Sequence, residues 1–292
     1  MSDDTEVAAT SDQQGYFTLR NVPPGLHTVH VQKGTHFSTQ FQAEVIKSYT
    51  TTLGEYKCLD STLEIAVVTG SFDSVQTSLN SLGFTPELYD GMERSDTDYL
   101  SLIGNPAELA KYDILFFNCG MSEEWFYNDP EYTSLSANEI QENLYDFVAN
   151  GGSIYTSDWA YYILEATFPQ SIDFAGDDDS PGAAAVGLDG TYEVQVMDNG
   201  FQKALGGATQ ASIRFEFPSW VVPLSSSNAH VLIEGEISYY ENWANVKTAQ
   251  VPLVLSYSPT NNEGRALYTS FHNESQLTTD METILEEILF SL

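Results

Sequence analysis

The sequence predicts an α/β fold, a mostly parallel sheet with helices on both faces, preceded by a small all-β unit. Three observations carry this. From residue 63 onward, short apolar runs ending in glycine or a polar turn alternate with helical periods, the pattern of a parallel sheet covered on both sides. Before that point every apolar run has period two, which reads as strands. The charge also breaks there. Residues 1–57 carry net −2 and residues 58–292 carry net −30, whereas neighbouring surfaces of one domain usually share a composition. Two units are expected, 1–57 and 58–292.

In the first unit, Gly15-Tyr-Phe-Thr-Leu-Arg and Leu26-His-Thr-Val-His-Val-Gln flank Asn21-Val-Pro-Pro-Gly25, a hairpin signal. Further alternating runs span Phe37–Val45 and Tyr49–Leu53. The second unit opens with the apolar run Leu63–Gly70, a helical pattern from Asp73 to Leu82 and a strand over Phe84–Tyr89. Asp113–Gly120 is another apolar run ending in a glycine turn. Ser136-Ala-Asn-Glu139 is a capping box, opening a helix with Ile140, Leu144, Phe147 and Val148 on one face and Asn150-Gly-Gly152 as its stop. A strand over Ser153–Ser157 and a helix over Trp159–Ala166 follow. Strands are then expected at Thr191–Met197, Ala211–Phe217, Ala229–Ile237, Val251–Tyr257 and Arg265–Phe271. A second capping box, Thr279-Asp-Met-Glu282, opens a terminal helix with Met281, Ile284, Leu285, Ile288 and Leu289 on its apolar face.

Composition excludes several functions. The 292 residues hold 10 Lys+Arg against 42 Asp+Glu, net −32. Nucleic-acid binding needs clustered bases to neutralise phosphates, and anionic membranes repel such a chain. With 42% hydrophobic and 13% aromatic residues there is enough apolar surface for a sizeable core, which argues against disorder. No apolar run reaches the ~18 residues of a transmembrane helix. The opening Met-Ser-Asp-Asp has neither the basic nor the apolar region of a signal peptide. The expected partner is a neutral or basic ligand or protein.

In open parallel sheets ligands sit beyond the carboxyl ends of the strands. Three such ends hold chemistry: Asn118-Cys119-Gly120, Asp158 between a strand and a helix, and Phe271-His272-Asn273-Glu274. Together they resemble class I glutamine amidotransferase-like domains, including the ThuA-like branch. That resemblance implies a flavodoxin-like, amidotransferase-like arrangement. It also implies an elbow at Ser153-Ile-Tyr-Thr-Ser-Asp-Trp-Ala160, with His272 and Glu274 as base and orienting acid. Asp158 stands where the family's cysteine nucleophile would be. In the first unit, Gly15-Tyr-Phe-Thr-Leu and Asn21-Val-Pro-Pro-Gly25 resemble the second half of carboxypeptidase-regulatory-like (prealbumin-like) β-sandwich domains. That implies a partial sandwich lacking its first strands. It also implies a secreted, periplasmic or cell-surface protein whose export signal lay upstream.

A carboxylate at the elbow cannot form the thioester of glutamine hydrolysis. Asp158, His272 and Glu274 are then open to four readings: an Asp–His pair that holds a loop, an Asp nucleophile assisted by His272, a mixed N/O metal site, or the floor of a non-catalytic binding cleft. Cys119 is a further candidate, provided it approaches His272. Asn118, Trp159 and Trp125 are candidate ligand-binding residues, with Trp125-Phe-Tyr127 walling a pocket or packing a loop. The expected reading is an exported non-catalytic binding or scaffolding module. The alternatives are a hydrolase with altered chemistry at Asp158, His272 and Glu274, and a calcium-stabilised surface module.

No cofactor motif is present. The densest acidic loop, Gly176-Asp177-Asp178-Asp179-Ser-Pro-Gly182, offers hard oxygen ligands suited to Ca²⁺ but lacks EF-hand spacing, and a solvated turn is the competing reading. His27 and His30, three apart on a strand, point to opposite faces and read as surface residues, as does His36. A Cys58–Cys119 bridge would join opposite edges of a parallel sheet, about 17 Å apart, unless residues 58–63 fold back.

Overall fold

The computed structural model describes residues 7–12, 15–33, 37–53, 60–61, 63–92, 98–122, 137–176, 183–224, 228–241, 245–260, 264–272 and 277–292. The chain divides into two compact units, Met1–Thr62 and Leu63–Leu292.

The first unit is one antiparallel sheet, β1 (Gly25–Lys33), β2 (Phe37–Val45) and β3 (Asp60–Ser61), in that order. No second layer is present among the described residues, so the expected partial sandwich is seen here as a single sheet. The hairpin also falls elsewhere than expected. The antiparallel pair is β1 with β2, in register from Gly25↔Val45 to Lys33↔Phe37, while the described residues from 15 to 24 form no strand. Pro23 and Pro24 lack N–H donors, so the Pro-Pro-Gly corner cannot close a ladder. Tyr49–Leu53 is likewise not a strand, because the chain turns at Ser48 (φ 67°). β3 pairs with β2 through Phe37↔Ser61, which carries the boundary past Cys58 to Thr62.

The second unit begins with β4 (Ile65–Val68), α1 (Val75–Ser81), β5 (Glu87–Tyr89), α2 (Asp98–Ile103), α3 (Pro106–Leu109) and β6 (Ile114–Phe117). Next come α4 (Ala137–Ala149), β7 (Ser153–Ser157), a 3₁₀ turn (Asp158–Tyr161), α5 (Tyr162–Thr167) and β8 (Asp173–Phe174). Then follow β9 (Val186–Gly187), β10 (Gly190–Val196), α6 (Asn199–Ala204), β11 (Gln210–Phe215) and β12 (Pro223–Leu224). The chain closes with β13 (His230–Tyr240), β14 (Val246–Tyr257), β15 (Ala266–Thr269) and α7 (Thr279–Ser291).

One sheet orders these strands β11-β10-β13-β14-β15-β7-β6-β4-β5, with β9 also on β13. β15, β7, β6, β4 and β5 run parallel. The pairings from β15 outward through β14, β13, β10 and β11 are antiparallel. The sheet is therefore mixed, not mostly parallel. Connection length explains it. Only residues 241–245 join β13 to β14 and only 258–265 join β14 to β15, too few for the crossover that parallel pairing needs.

In β4, β6, β7 and β15 every residue is buried, as expected of strands covered on both faces. On one face Ala66, Val68, Leu115, Phe117, Ile154 and Tyr268 pack with Leu100, Ile103, Leu109, Ile140, Leu144 and Ile163 from α2 to α5. On the other, Phe116 and Tyr155 line a gap of about 200 Å³ with Val75 and Leu79 of α1 and Leu285 and Leu289 of α7. The expected second capping box is shifted by one residue. Thr278, not Thr279, is the N-cap, because its Oγ1 accepts from Met281 N at 3.1 Å while donating to Ser212 O at 2.8 Å.

Candidate functional site

The carboxyl ends of β6, β7 and β15 converge. β7 leads directly into the 3₁₀ turn, and the first residue of that turn, Asp158, takes φ 44°. A left-handed backbone costs a non-glycine residue about 1–2 kcal/mol, although Asp tolerates it better than most. Tertiary bonds hold it there. Asp158 Oδ1 accepts from Val221 N at 2.7 Å. The neighbouring Trp159 Nε1 donates to Ser219 O at 2.7 Å, and Tyr268 OH donates to Val221 O at 3.2 Å. The segment Ser219–Val221 is thus strapped across the elbow from both sides.

Beside the elbow, Cys119 follows β6. Its N–H donates to Ser157 Oγ at 3.1 Å, and Ser157 Oγ donates to Asp73 Oδ2 at 2.5 Å. Gly70 makes the approach possible, since a Cβ there would sit 2.2 Å from Cys119 O. The Cys119 thiol donates to Asp158 Oδ2 at 3.6 Å. Burial, followed by the adjacent Asp158 carboxylate, pushes this thiol far above the ordinary range, so it stays protonated and is a poor nucleophile. His272, just past β15, places Nε2 3.5 Å from the same Asp158 Oδ2. The three side chains each offer a metal-ligand atom within 4.8 Å of the others.

These three residues line a cavity of about 370 Å³. Its walls are aromatic: Phe72, Trp159, Phe215, Phe217, Trp220 and Phe271. Phe215 and Trp220 stack at 4.1 Å and 13°. Arg214 and Glu216, also in the lining, pair at 2.8 Å.

Of the expected site residues, Cys119, Asp158, His272 and Trp159 are brought together. Asn118 is not. It is fully buried, and its Nδ2 donates to Gln76 Oε1 at 2.9 Å and to Asp73 O at 3.4 Å, toward α1 and away from the cavity. Glu274, Trp125, Asp177, Asp178, Asp179, His36 and Cys58 lie outside the described residues. Cys119 is a free thiol. His27 sits on β1, its Nε2 2.8 Å from Pro23 O, and His30 is exposed. Arg214, which was not among the expected site residues, brings a cation to the cavity lining. The sequence reading also missed the wall formed by Phe215-Glu-Phe-Pro-Ser-Trp220. The available signal was a dense aromatic stretch with a proline, placed directly after a strand. No helix among the described residues is long and apolar enough to cross a membrane.

No family model matches the chain, and no curated protein matches it. Among solved structures it is similar to the mmIFT52 N-terminal domain, at 12% identity over 78% of this chain and 95% of that one, with a TM-score of 0.49. It is also similar to two cytoplasmic proteins of Salmonella typhimurium. Each is 11% identical, the first over 91% of this chain and 95% of that one with a TM-score of 0.45. The second covers 92% of both chains with a TM-score of 0.46. At these values the likeness assigns no activity.

Proposed function

We propose that residues 63–292 are a ligand-binding module of an exported protein. Its scaffold is flavodoxin-like and amidotransferase-like, with Asp158 in place of the elbow nucleophile. One observation carries the reading. The elbow residue is a carboxylate anchored through Oδ1 to Val221 N–H, and it forms the floor of an aromatic-walled cavity. Two further features agree with it. The parallel strands run β5-β4-β6-β7-β15, the 2-1-3-4-5 order of doubly wound sheets, and the site lies at their carboxyl ends. The neighbouring thiol is held protonated.

The ligand class follows from the lining. Flat rings suit an apolar face, while Asp158, His272, Arg214 and Glu216 offer fixed donors and acceptors. Residues 58–292 carry net −30, which repels anions. A neutral saccharide satisfies all three conditions. The test is a tryptophan-emission titration, since Trp159 and Trp220 are in the wall. Neutral oligosaccharides should produce a saturable change that Phe217→Ala weakens, and uronic-acid counterparts should bind less well. No saturable change with any neutral saccharide, or equal binding of the anionic ones, would reject the reading.

A second reading, a hydrolase using Asp158 and His272, is favoured by the 3.5 Å His272–Asp158 approach in an open cavity. It requires ester or amide turnover that depends on His272.

A further inference from the structure

We propose that the floor of the cavity is a zinc site, with Zn²⁺ held by Cys119 Sγ, Asp158 Oδ2 and His272 Nε2 and with its fourth position open to the cavity. This goes beyond the saccharide reading and does not rest on it.

Geometry comes first. With Zn–S about 2.3 Å and Zn–N and Zn–O about 2.0–2.2 Å, neighbouring ligand atoms of a tetrahedral site lie about 3.3–3.6 Å apart. Asp158 Oδ2 is 3.6 Å from Cys119 Sγ and 3.5 Å from His272 Nε2. Two edges of the tetrahedron therefore already have the required length and share one atom. The third ligand pair is within 4.8 Å, so it needs to close by no more than about 1.5 Å. His272 can supply that movement, because it stands where β15 has ended and its ring reaches the cavity.

Donor chemistry comes second. A thiolate, an imidazole and one carboxylate oxygen suit zinc, whereas calcium and magnesium select all-oxygen sets. Binding would break the Cys119 S–H bond, release its proton to solvent and form the Zn–S bond. Support from the surroundings comes third. The Val221 N–H on Oδ1 fixes the carboxylate so that Oδ2 is the oxygen turned to Cys119 and His272. The Ser157–Asp73 pair fixes the Cys119 backbone. Groups of this kind set the aim of metal ligands. Because all three side chains line the cavity, the open position faces whatever the cavity holds. Three protein ligands with one position left for water or a ligand make an open, ligand-accessible site rather than a closed structural one.

Cobalt(II) reports on such a site. Metal-free protein titrated with Co²⁺ should show thiolate-to-cobalt charge transfer and intense tetrahedral d–d bands, saturating at one equivalent, and Zn²⁺ should bleach them. Cys119→Ser should lose the charge-transfer band and Cys58→Ser should keep it. His272→Gln, a change beyond the end of β15, should weaken Zn²⁺ binding at least about tenfold in competition with a chromophoric chelator. The proposal is overturned if the wild-type protein gives no such bands, if Cys119→Ser retains them, or if His272→Gln binds Zn²⁺ as tightly as wild type.

Discussion

Asp158 combines three roles in one side chain. Its backbone adopts φ 44°, Oδ1 caps the buried Val221 N–H, and Oδ2 lies 3.6 Å from the Cys119 sulfur and 3.5 Å from the His272 ring. These roles separate by substitution. Asn tolerates the left-handed region and keeps an oxygen for Val221, so Asp158→Asn should lower stability by less than about 1.5 kcal/mol. Asp158→Ala orphans a buried N–H, at about 1–3 kcal/mol, and adds about 1–2 kcal/mol of backbone strain. Urea denaturation should therefore rank wild type and Asn together, with Ala about 2–5 kcal/mol below. Equal midpoints for Asn and Ala would show that the Val221 bond does not hold the elbow. Asp158 stood out in the sequence because it interrupts a strand-to-helix junction. Its partner Val221 did not, because the bond runs to a backbone N–H, which no side-chain pattern marks.

Among the elements, α7 joins the two parts of the sheet. Its N-cap Thr278 ties it to β11 through Ser212, and Asp280 Oδ2 accepts from Ser212 N at 2.8 Å. Losing a Thr cap costs about 1 kcal/mol, and the bond to Ser212 adds to that. Thr278→Ala should therefore destabilise by about 1–2 kcal/mol, whereas Thr279→Ala, one residue inside, should change stability by less than about 0.5 kcal/mol. Thermal melts of both variants distinguish the observed cap from the one the sequence suggested; a larger effect at 279 would contradict it. That one-residue shift has a plain origin. Thr278 and Thr279 are adjacent, and only the position of β11 selects between them. The parallel strands were legible because burial on both faces makes them continuous apolar runs. β13 and β14 were underestimated because their far ends, Ser238–Tyr240 and Val246–Gln250, are mostly polar and partly exposed. The part of the cavity wall from residues 214–220 was not legible, because tertiary hydrogen bonds carry it to an elbow about sixty residues away.

At the scale of the whole chain, charge is the dominant feature. Net −32 with ten basic residues leaves few ion pairs to offset repulsion within the folded state. The screening length falls from about 30 Å at 0.01 M salt to about 8 Å at 0.15 M. The melting temperature should rise over that range, by about 2–4 °C for each kcal/mol of repulsion removed; a flat or falling curve in sodium chloride would count against it. The same charge excluded nucleic acid at the level of sequence. The structure adds that Arg214 answers Glu216 in the cavity wall, so the cavity is closer to neutral than the unit around it. The α/β class was legible from alternation alone. The mixed sheet was not, because the direction of β14 depends on loop lengths that follow from strand ends the polar residues conceal. The reading proposed for this cavity is binding without covalent turnover. Hydrolysis of p-nitrophenyl acetate by chelator-treated protein tests it most directly. Wild type and His272→Ala should show the same background rate, whereas a wild-type acceleration lost in His272→Ala would contradict the claim.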